Sequence, residues 1–124
     1  MPGTPDSPLR VLVVDDEPPV RFVLRVILEL DGYHVVEAAE GAEALARLKE
    51  HPADLVVTDF MMPVMDGGEL IERIRRDAHL AGIPVLMISA SSRAPDRAQA
   101  DAFLVKPFEP DEVRAEVARM MGRS

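Results

Sequence analysis

Reactive side chains directly follow four short, largely apolar segments of this 124-residue sequence. The segments 9–14, 55–58, 84–88 and 102–105 are followed, in order, by Asp15 and Asp16, by Asp59, by Ser89 and by Lys106. Short apolar segments rich in β-branched residues are typical of strands buried on both faces of a parallel sheet. Because parallel strands end at a common edge of the sheet, we expect these side chains to converge although they span 91 positions of sequence.

The predicted cluster has the chemistry of a phosphoryl-transfer site. Three carboxylates close together repel one another, so they require either raised pKa values or a bound cation. A site of oxygen ligands without His or Cys favours a hard ion, and Mg²⁺ is the natural candidate. Lys106 adds a second positive charge and Ser89 a hydroxyl donor. This combination would let Asp59 accept a phosphoryl group by in-line attack and form an acyl phosphate.

The segments between the predicted strands have helical periodicity. In the first of them, apolar residues recur at helical spacing at Val20, Val23, Leu24, Ile27 and Leu28. Further helices are predicted at 41–50, at about 67–76 and from Pro110 to Met121, and a second strand at 33–37. Alternating strands and helices predict an α/β fold, a doubly wound parallel sheet with helices on both faces.

Composition and charge limit the classes of protein to consider. A chain with 48% hydrophobic and 29% charged residues suits one globular domain, predicted at 9–122 after a disordered tail at 1–8. The absence of cysteine excludes disulfides and thiolate metal sites, and it fits a reducing cytoplasm. The net charge of −8 argues against direct nucleic-acid binding. No apolar run approaches the length of a membrane span, so we expect a cytoplasmic protein.

The motifs, in this order, resemble the receiver domain of two-component response regulators over roughly residues 9–121. Val-Val-Asp-Asp-Glu stands at 13–17, and Asp59 is followed by Met62-Pro63 and by Met65-Asp66-Gly67. Ser89-Ala90 and Lys106-Pro107-Phe108 complete the set. The resemblance implies a flavodoxin-like, five-stranded sheet with strand order 2-1-3-4-5, and a phosphoprotein that acts as a switch in signal transduction.

The resemblance also implies a role for each residue of the acidic site. Asp59 would be the phosphoacceptor, supplied by a sensor histidine kinase or a histidine phosphotransfer protein. Mg²⁺ would be bound directly by Asp16 and Asp59, by Asp15 largely through water, and by the backbone carbonyl of Met61. Together these groups would form the metal site of an aspartyl phosphate.

A second group of residues would respond to the phosphoryl group. Ser89 and Lys106 would hold its oxygens, and the Lys106-Pro107 peptide bond would be cis, which is otherwise rare. Phe103, three positions before Lys106, would be the aromatic switch that packs inward when Ser89 moves. The output would be altered binding of a downstream protein. A homodimer is left open, because a departure from the family at the fourth helix weakens any inference from the family's habit.

The sequence departs from this family between the fourth and fifth predicted strands. Only 17 positions separate Ser89 from Lys106, fewer than the family usually has. The helix predicted there, the fourth in order, is therefore short or irregular, with a stub near residues 95–100, because an isolated helix of that length is marginal without packing. Since the family's output surface includes this helix, the identity of the downstream partner is left open.

Two other functions are compatible with parts of this pattern. A receiver-like interaction module that works without phosphorylation would fit the shortened fourth helix, although the complete set of acids, Ser89 and Lys106 counts against it. A phosphatase with an aspartate nucleophile would need Asp-x-Asp after its first strand and a cap, whereas the chain has Asp15-Asp16-Glu17. We therefore expect a signalling phosphoacceptor that assists its own phosphorylation and dephosphorylation rather than an enzyme.

Overall fold

The computed structural model describes residues 8–90 and 100–122, which form five strands and four helices. The strands are β1 (Arg10–Val14), β2 (His34–Ala38), β3 (Leu55–Asp59), β4 (Val85–Ser89) and β5 (Ala102–Val105). The helices are α1 (Pro18–Leu30), α2 (Gly41–Glu50), α3 (Gly67–Arg76) and α4 (Pro110–Met120). All five predicted strands are present, with bounds shifted by at most one residue.

All five strands lie parallel in one sheet, in the order β2-β1-β3-β4-β5. The predicted doubly wound, flavodoxin-like topology is therefore confirmed. The register pairs Val14 with Thr58, Asp59 with Ile88 and Ser89 with Val105, so neighbouring strands end nearly level. The residues that follow the carboxyl ends of these strands therefore lie at the same edge of the sheet.

The sheet separates two apolar cores because successive side chains of a strand point to opposite faces. Leu12 and Val14 of β1 pack in the core that contains α2 and α3, whereas Val11 and Val13 pack in the core that contains α1 and α4. Every residue of β3 and β4 is buried, as expected for central strands covered on both faces. Burial on both sides fixes these strands, and hence the start of the loops that leave their carboxyl ends.

Two of the sequence-based predictions lie outside the described residues. The helical stub expected near 95–100 falls mainly within residues 91–99, and the expected tail at 1–8 falls mainly within residues 1–7. Both stay predictions. The predicted order counted a fourth helix between β4 and β5, so the C-terminal helix, here labelled α4, is the fifth helix of that order. Among the described residues, no helix is both long enough and apolar enough to cross a lipid bilayer.

The loop from β3 to α3 holds a valine in an unfavourable backbone conformation. Val64 has a φ of 71°, in the left-handed region where a β-branched residue is an outlier. Its side chain is 98% exposed, so no packing offsets the strain. The loop therefore carries a local cost of about 1–2 kcal/mol, the usual penalty of this conformation for residues other than glycine.

We predict that Val64→Asn raises the free energy of unfolding by about 0.5–1 kcal/mol, because asparagine tolerates left-handed φ and no buried contact is lost. Urea unfolding of the purified protein measures this difference. Val26→Asn, at an exposed site in the middle of α1, is the control and should bring no gain, since valine and asparagine have similar helix propensities. A lower stability of Val64→Asn would contradict the assignment of strain to this residue.

Candidate functional site

The predicted side chains meet at the carboxyl edge of the sheet. Asp59 and Ser89 are the last residues of β3 and β4, while Asp15 and Lys106 directly follow β1 and β5. One carboxylate oxygen each from Asp15, Asp16 and Asp59, here called the acidic cluster, lie within 4.8 Å of one another. The Lys106 Nζ lies 3.4 Å from Asp15 Oδ2 and 3.5 Å from Asp59 Oδ1. Groups far apart in sequence thus form one charged site.

Burial makes the charges of the acidic cluster costly. Asp15, Asp59 and Ser89 are almost completely buried, and Lys106 is partly buried. A buried carboxylate is stable only when a counter-charge or hydrogen bonds compensate it. Lys106 contacts two of the three carboxylates, which leaves the acidic cluster with an excess of negative charge.

The pKa of Asp59 reflects these opposing effects. Burial raises the pKa, the Lys106 ammonium lowers it, the Asp15 carboxylate raises it, and a hydrogen bond from the Met61 N–H lowers it. The net pKa of Asp59 lies above the ordinary value of an aspartate. Burial lowers the pKa of Lys106, but the attraction of Asp15 and Asp59 outweighs burial and the net pKa is raised. The ammonium therefore stays charged at neutral pH.

The acidic cluster fits a hard divalent cation. Its donors are carboxylate oxygens only, and their 4.8 Å spread is close to the ~3–4 Å separations between oxygens around an octahedral Mg²⁺. Asp15 Oδ1 accepts a 2.9 Å hydrogen bond from the Glu17 N–H, and Asp15 Oδ2 faces Lys106, so both oxygens of Asp15 already have protein partners. A cation at this position would neutralise the excess negative charge that burial makes costly.

The loop after β3 is held by two residues whose roles the sequence-based prediction missed. Asp66 caps α3 by accepting a 2.8 Å hydrogen bond from the Glu69 N–H. The Gly67 N–H donates to the Phe60 carbonyl at 2.8 Å, and a Cβ on Gly67 would lie 2.5 Å from the Asp59 carbonyl oxygen. Aspartate three residues before glutamate is typical of a helix N-terminus and was an available signal for Asp66. The close approach of Gly67 has no signal in the local sequence.

Lys106 is oriented by the backbone of the last two strands. Its N–H donates a 2.8 Å hydrogen bond to the Ser89 carbonyl, which continues the pairing of β4 with β5. The following peptide bond, Lys106–Pro107, is cis, as predicted. Lys106 and Ser89 are therefore neighbours at the edge where the carboxylates gather.

Phe103 and Met61, the other two residues to which the sequence assigned roles, lie in β5 and in the loop after β3. Phe103 is paired in register with Met87 and is partly buried against the core that contains α2 and α3. Met61 has an exposed side chain, and its N–H bonds to the Asp59 carboxylate. Both positions are compatible with the predicted roles of switch and metal ligand, which stay predictions.

Comparison with known proteins identifies the family of this chain. A family model described as the response regulator receiver domain matches residues 11–118. The chain belongs to this family. Response regulator Rre1 of Synechocystis sp. is 40% identical over 123 residues, an alignment that covers 94% of this chain and 53% of that protein. The chain spans about half the length of the curated relatives it matches.

Solved structures resemble this receiver domain over nearly its whole length. The chemotaxis protein CheY4 of Vibrio cholerae has a TM-score of 0.86 at 31% identity, covering 92% of this chain and 99% of that one. Response regulator TrrA of Thermotoga maritima, solved in complex with Mg(2+)-BeF, has a TM-score of 0.83 at 34% identity, covering 90% of this chain and 98% of that one. The arrangement of strands that creates the acidic cluster is thus shared with known receiver domains.

We predict that Gly67→Ala lowers the free energy of unfolding by about 1–3 kcal/mol, the usual cost of overpacking, because the added Cβ would meet backbone atoms of Asp59 and Phe60. Urea unfolding measures the loss. Gly82→Ala is the matched control: among the described residues, nothing lies within 4 Å of a Cβ there, so the substitution should be neutral or slightly stabilising. Equal stability of the two variants would contradict the close approach at Gly67.

Proposed function

We propose that this receiver domain is a signalling switch controlled by phosphorylation of Asp59. The observation that carries the proposal is the acidic cluster: Asp59 ends a buried strand, lies beside Lys106 and shares the edge of the sheet with two further carboxylates. The site offers a nucleophile, a fixed positive charge and a place for Mg²⁺. The family of the chain, and the Mg(2+)-BeF complex of its relative TrrA, support the same assignment.

In the proposed reaction, an Asp59 oxygen attacks the phosphorus of a phosphohistidine on a histidine kinase or a phosphotransfer protein. The new bond joins Asp59 to phosphorus while the bond from phosphorus to the histidine nitrogen breaks, and the imidazole leaves with its electron pair. The carboxylate has to be anionic to attack. Lys106, 3.5 Å away, and the Met61 N–H stabilise the anion against the effect of burial.

Positive charge around the transferred group is the second requirement of the reaction. Asp16, Asp59 and the Met61 carbonyl, with Asp15 acting largely through water, would hold Mg²⁺, and the bound ion would supply charge neutralisation for the phosphoryl oxygens. Lys106 adds a positive charge from the protein itself, and Ser89 adds a hydroxyl donor. Both residues stand at the carboxyl ends of neighbouring strands, so the sheet holds them in place before the phosphoryl group arrives.

We expect phosphorylation to act by shifting a conformational equilibrium. The phosphoryl group adds negative charge at Asp59 and competes for Lys106, which here contacts both Asp15 and Asp59. Ser89 at the end of β4 and Phe103 in β5 would move with Lys106. The surface around β5 would then change its affinity for a downstream protein.

The first test is intact-mass spectrometry after incubation with acetyl phosphate. Wild-type protein should gain about 80 Da, the mass of one phosphoryl group, in the presence of Mg²⁺ and not after its removal with EDTA. Asp59→Asn should show no gain, because the amide cannot replace the carboxylate as nucleophile. Asp111→Asn, at an exposed aspartate of α4, is the matched control and should behave as wild type. No gain in folded wild-type protein would instead favour the interaction module that works without phosphorylation.

An apolar groove beside Lys106 is the proposed docking site of the histidine kinase or phosphotransfer protein. The groove has a volume of about 570 Å³ and is lined by Val20 and Val23 of α1, by Ala90, and by Lys106, Pro107 and Phe108. Lys106 belongs both to this groove and to the surroundings of Asp59, so a protein seated in the groove would reach the carboxylate. Phe22 and Val23 are both exposed, and an apolar surface of this kind is typical of a protein-interaction site.

We predict that Val23→Glu slows phosphotransfer from a histidine kinase by about tenfold or more, because a charge would be buried in the apolar contact. Phosphorylation by acetyl phosphate should be unchanged, since that small donor needs no docking surface. The kinase is chosen by profiling wild-type protein against purified kinases and taking the fastest donor.

Val105→Glu is the matched control for this prediction. Val105 and Val23 are 43% and 44% exposed, and Val105 does not line the groove. Phosphotransfer from the kinase should therefore be retained in Val105→Glu. If the kinase phosphorylated Val23→Glu as fast as wild type, the result would contradict the proposed docking site.

A further inference from the structure

The side chain of Arg21 connects the loop that carries Asp15 and Asp16 to the second strand. Its Nη1 donates a 2.7 Å hydrogen bond to the backbone carbonyl of Asp15, and its Nε donates a 3.1 Å hydrogen bond to Glu37 Oε1. Arg21 lies in the first turn of α1, and Glu37 lies in β2 at the edge of the sheet. One guanidinium thus joins α1, the acidic loop and β2.

The Asp15 carbonyl belongs to the peptide unit between the two acids of the loop. The Asp15 N–H donates to the Ala38 carbonyl at 3.2 Å, and Asp15 Oδ1 accepts a 2.9 Å hydrogen bond from the Glu17 N–H. Asp15 Oδ2 faces Lys106, and the Asp15 carbonyl accepts the hydrogen bond from Arg21. The N–H, the carbonyl and both carboxylate oxygens of Asp15 therefore all have partners within the protein. Holding the plane of this peptide sets the direction in which the chain leaves Asp15, and therefore the position of Asp16.

Arg21 is itself held in place by Glu37. The side chains of Arg21 and Glu37 are only 18% and 27% exposed, and Glu37 Oε2 accepts a 2.8 Å hydrogen bond from Arg25 Nη1. The hydrogen bond from Arg25, with that from Arg21, lowers the pKa of Glu37 although burial opposes the shift, so Glu37 stays anionic at neutral pH. Charge-assisted hydrogen bonds in this partly buried setting restrain the orientation of the Arg21 guanidinium.

We propose that Arg21 is a positioning residue of the acidic cluster: by holding the Asp15–Asp16 peptide, it sets the carboxylates in the arrangement that binds Mg²⁺. The identity of the ion rests on the proposed function. The contact itself is made to the backbone of Asp15. Arg21 therefore acts through the loop and takes no part in the reaction.

The effect expected of Arg21 as a positioning residue is opposite in sign to the effect of its charge. Arg21 carries a positive charge beside the acidic cluster, so by Coulomb's law its removal should strengthen the binding of a cation. Loss of a contact that orients metal ligands weakens binding, typically by about 10- to 100-fold. The direction of the change in affinity therefore separates the two effects.

Isothermal titration calorimetry of Mg²⁺ into the full chain measures this direction. Arg21→Ala and Arg21→Lys should each raise the dissociation constant of Mg²⁺ by about tenfold. Lysine retains the charge but lacks the planar fork that reaches the Asp15 carbonyl and Glu37 together. Arg25→Ala is the matched control, because Arg25 forms hydrogen bonds with Glu37 and Glu29 but not with Asp15. The dissociation constant of Mg²⁺ for Arg25→Ala should stay within about twofold of the wild-type value.

A second measurement does not depend on metal binding. In the Mg²⁺-free protein, the Glu17 N–H should exchange with solvent about tenfold faster in Arg21→Lys than in wild type, because the loop loses its anchor. Urea unfolding establishes that each variant is folded under the conditions of titration. Arg21→Lys keeps the test decisive if Arg21→Ala does not fold.

The possible failures of the two proposals are distinguishable. If Arg21→Lys binds Mg²⁺ as tightly as wild type, or if Arg21→Ala binds it as tightly or more tightly, the inference is overturned and the proposed function is untouched. If wild-type protein binds no Mg²⁺, the proposed function is contradicted and the inference falls with it.

Discussion

Mutual repulsion between buried carboxylates is the constraint on which the rest of this structure depends. The parallel sheet brings oxygens of Asp15, Asp16 and Asp59 within 4.8 Å of one another, and burial of Asp15 and Asp59 removes much of the water that would screen their charges. Like charges in such a place are stable only if the surroundings supply positive charge and hydrogen-bond donors. Lys106 supplies part of that compensation, and a divalent cation would supply the rest. The repulsion that destabilises the folded state therefore also favours the binding of a cation.

The fold withstands this repulsion because the acids stand on rigid supports. β3 and β4 are buried along their whole length between two apolar cores, so Asp59 cannot withdraw from the edge without disturbing both cores. The loop after β3 is tied down by the cap at Asp66 and by the close contact of Gly67 with the Asp59 backbone. The loop after β1 is tied down by Arg21, which is anchored to Glu37. The segments that carry these acids are thus each held by contacts with neighbouring strands or helices.

The sequence predicts the sheet and the acidic cluster well because both depend on local patterns. Short apolar runs mark the strands, and a parallel topology alone is enough to place Asp59 and Lys106 at one edge. The supports of the cluster depend on distances between remote parts of the chain, which local patterns do not contain. Arg21 and Glu37 are 16 positions apart and meet only once α1 has packed beside β2. The left-handed backbone of Val64 goes against the preference of a β-branched residue, so local propensity points away from it.

Lys106 links the charge balance of the acidic cluster to the edge of the sheet. It lies at nearly equal distances, 3.4 and 3.5 Å, from Asp15 and Asp59, so additional negative charge on Asp59 would draw it away from Asp15. Phosphorylation replaces the single negative charge of the Asp59 carboxylate with the roughly two negative charges of a phosphoryl group, a net gain of about one unit at neutral pH. Lys106 directly follows β5, which pairs with β4 alone among the described strands and lies at an edge of the sheet. Such an edge strand can shift at a lower cost in free energy than the central strands. At the opposite edge, the contact of Arg21 with Glu37 ties down the loop of Asp15 and Asp16. A response to phosphorylation would therefore be concentrated at β5, where Phe103 is partly buried and Val105 is exposed.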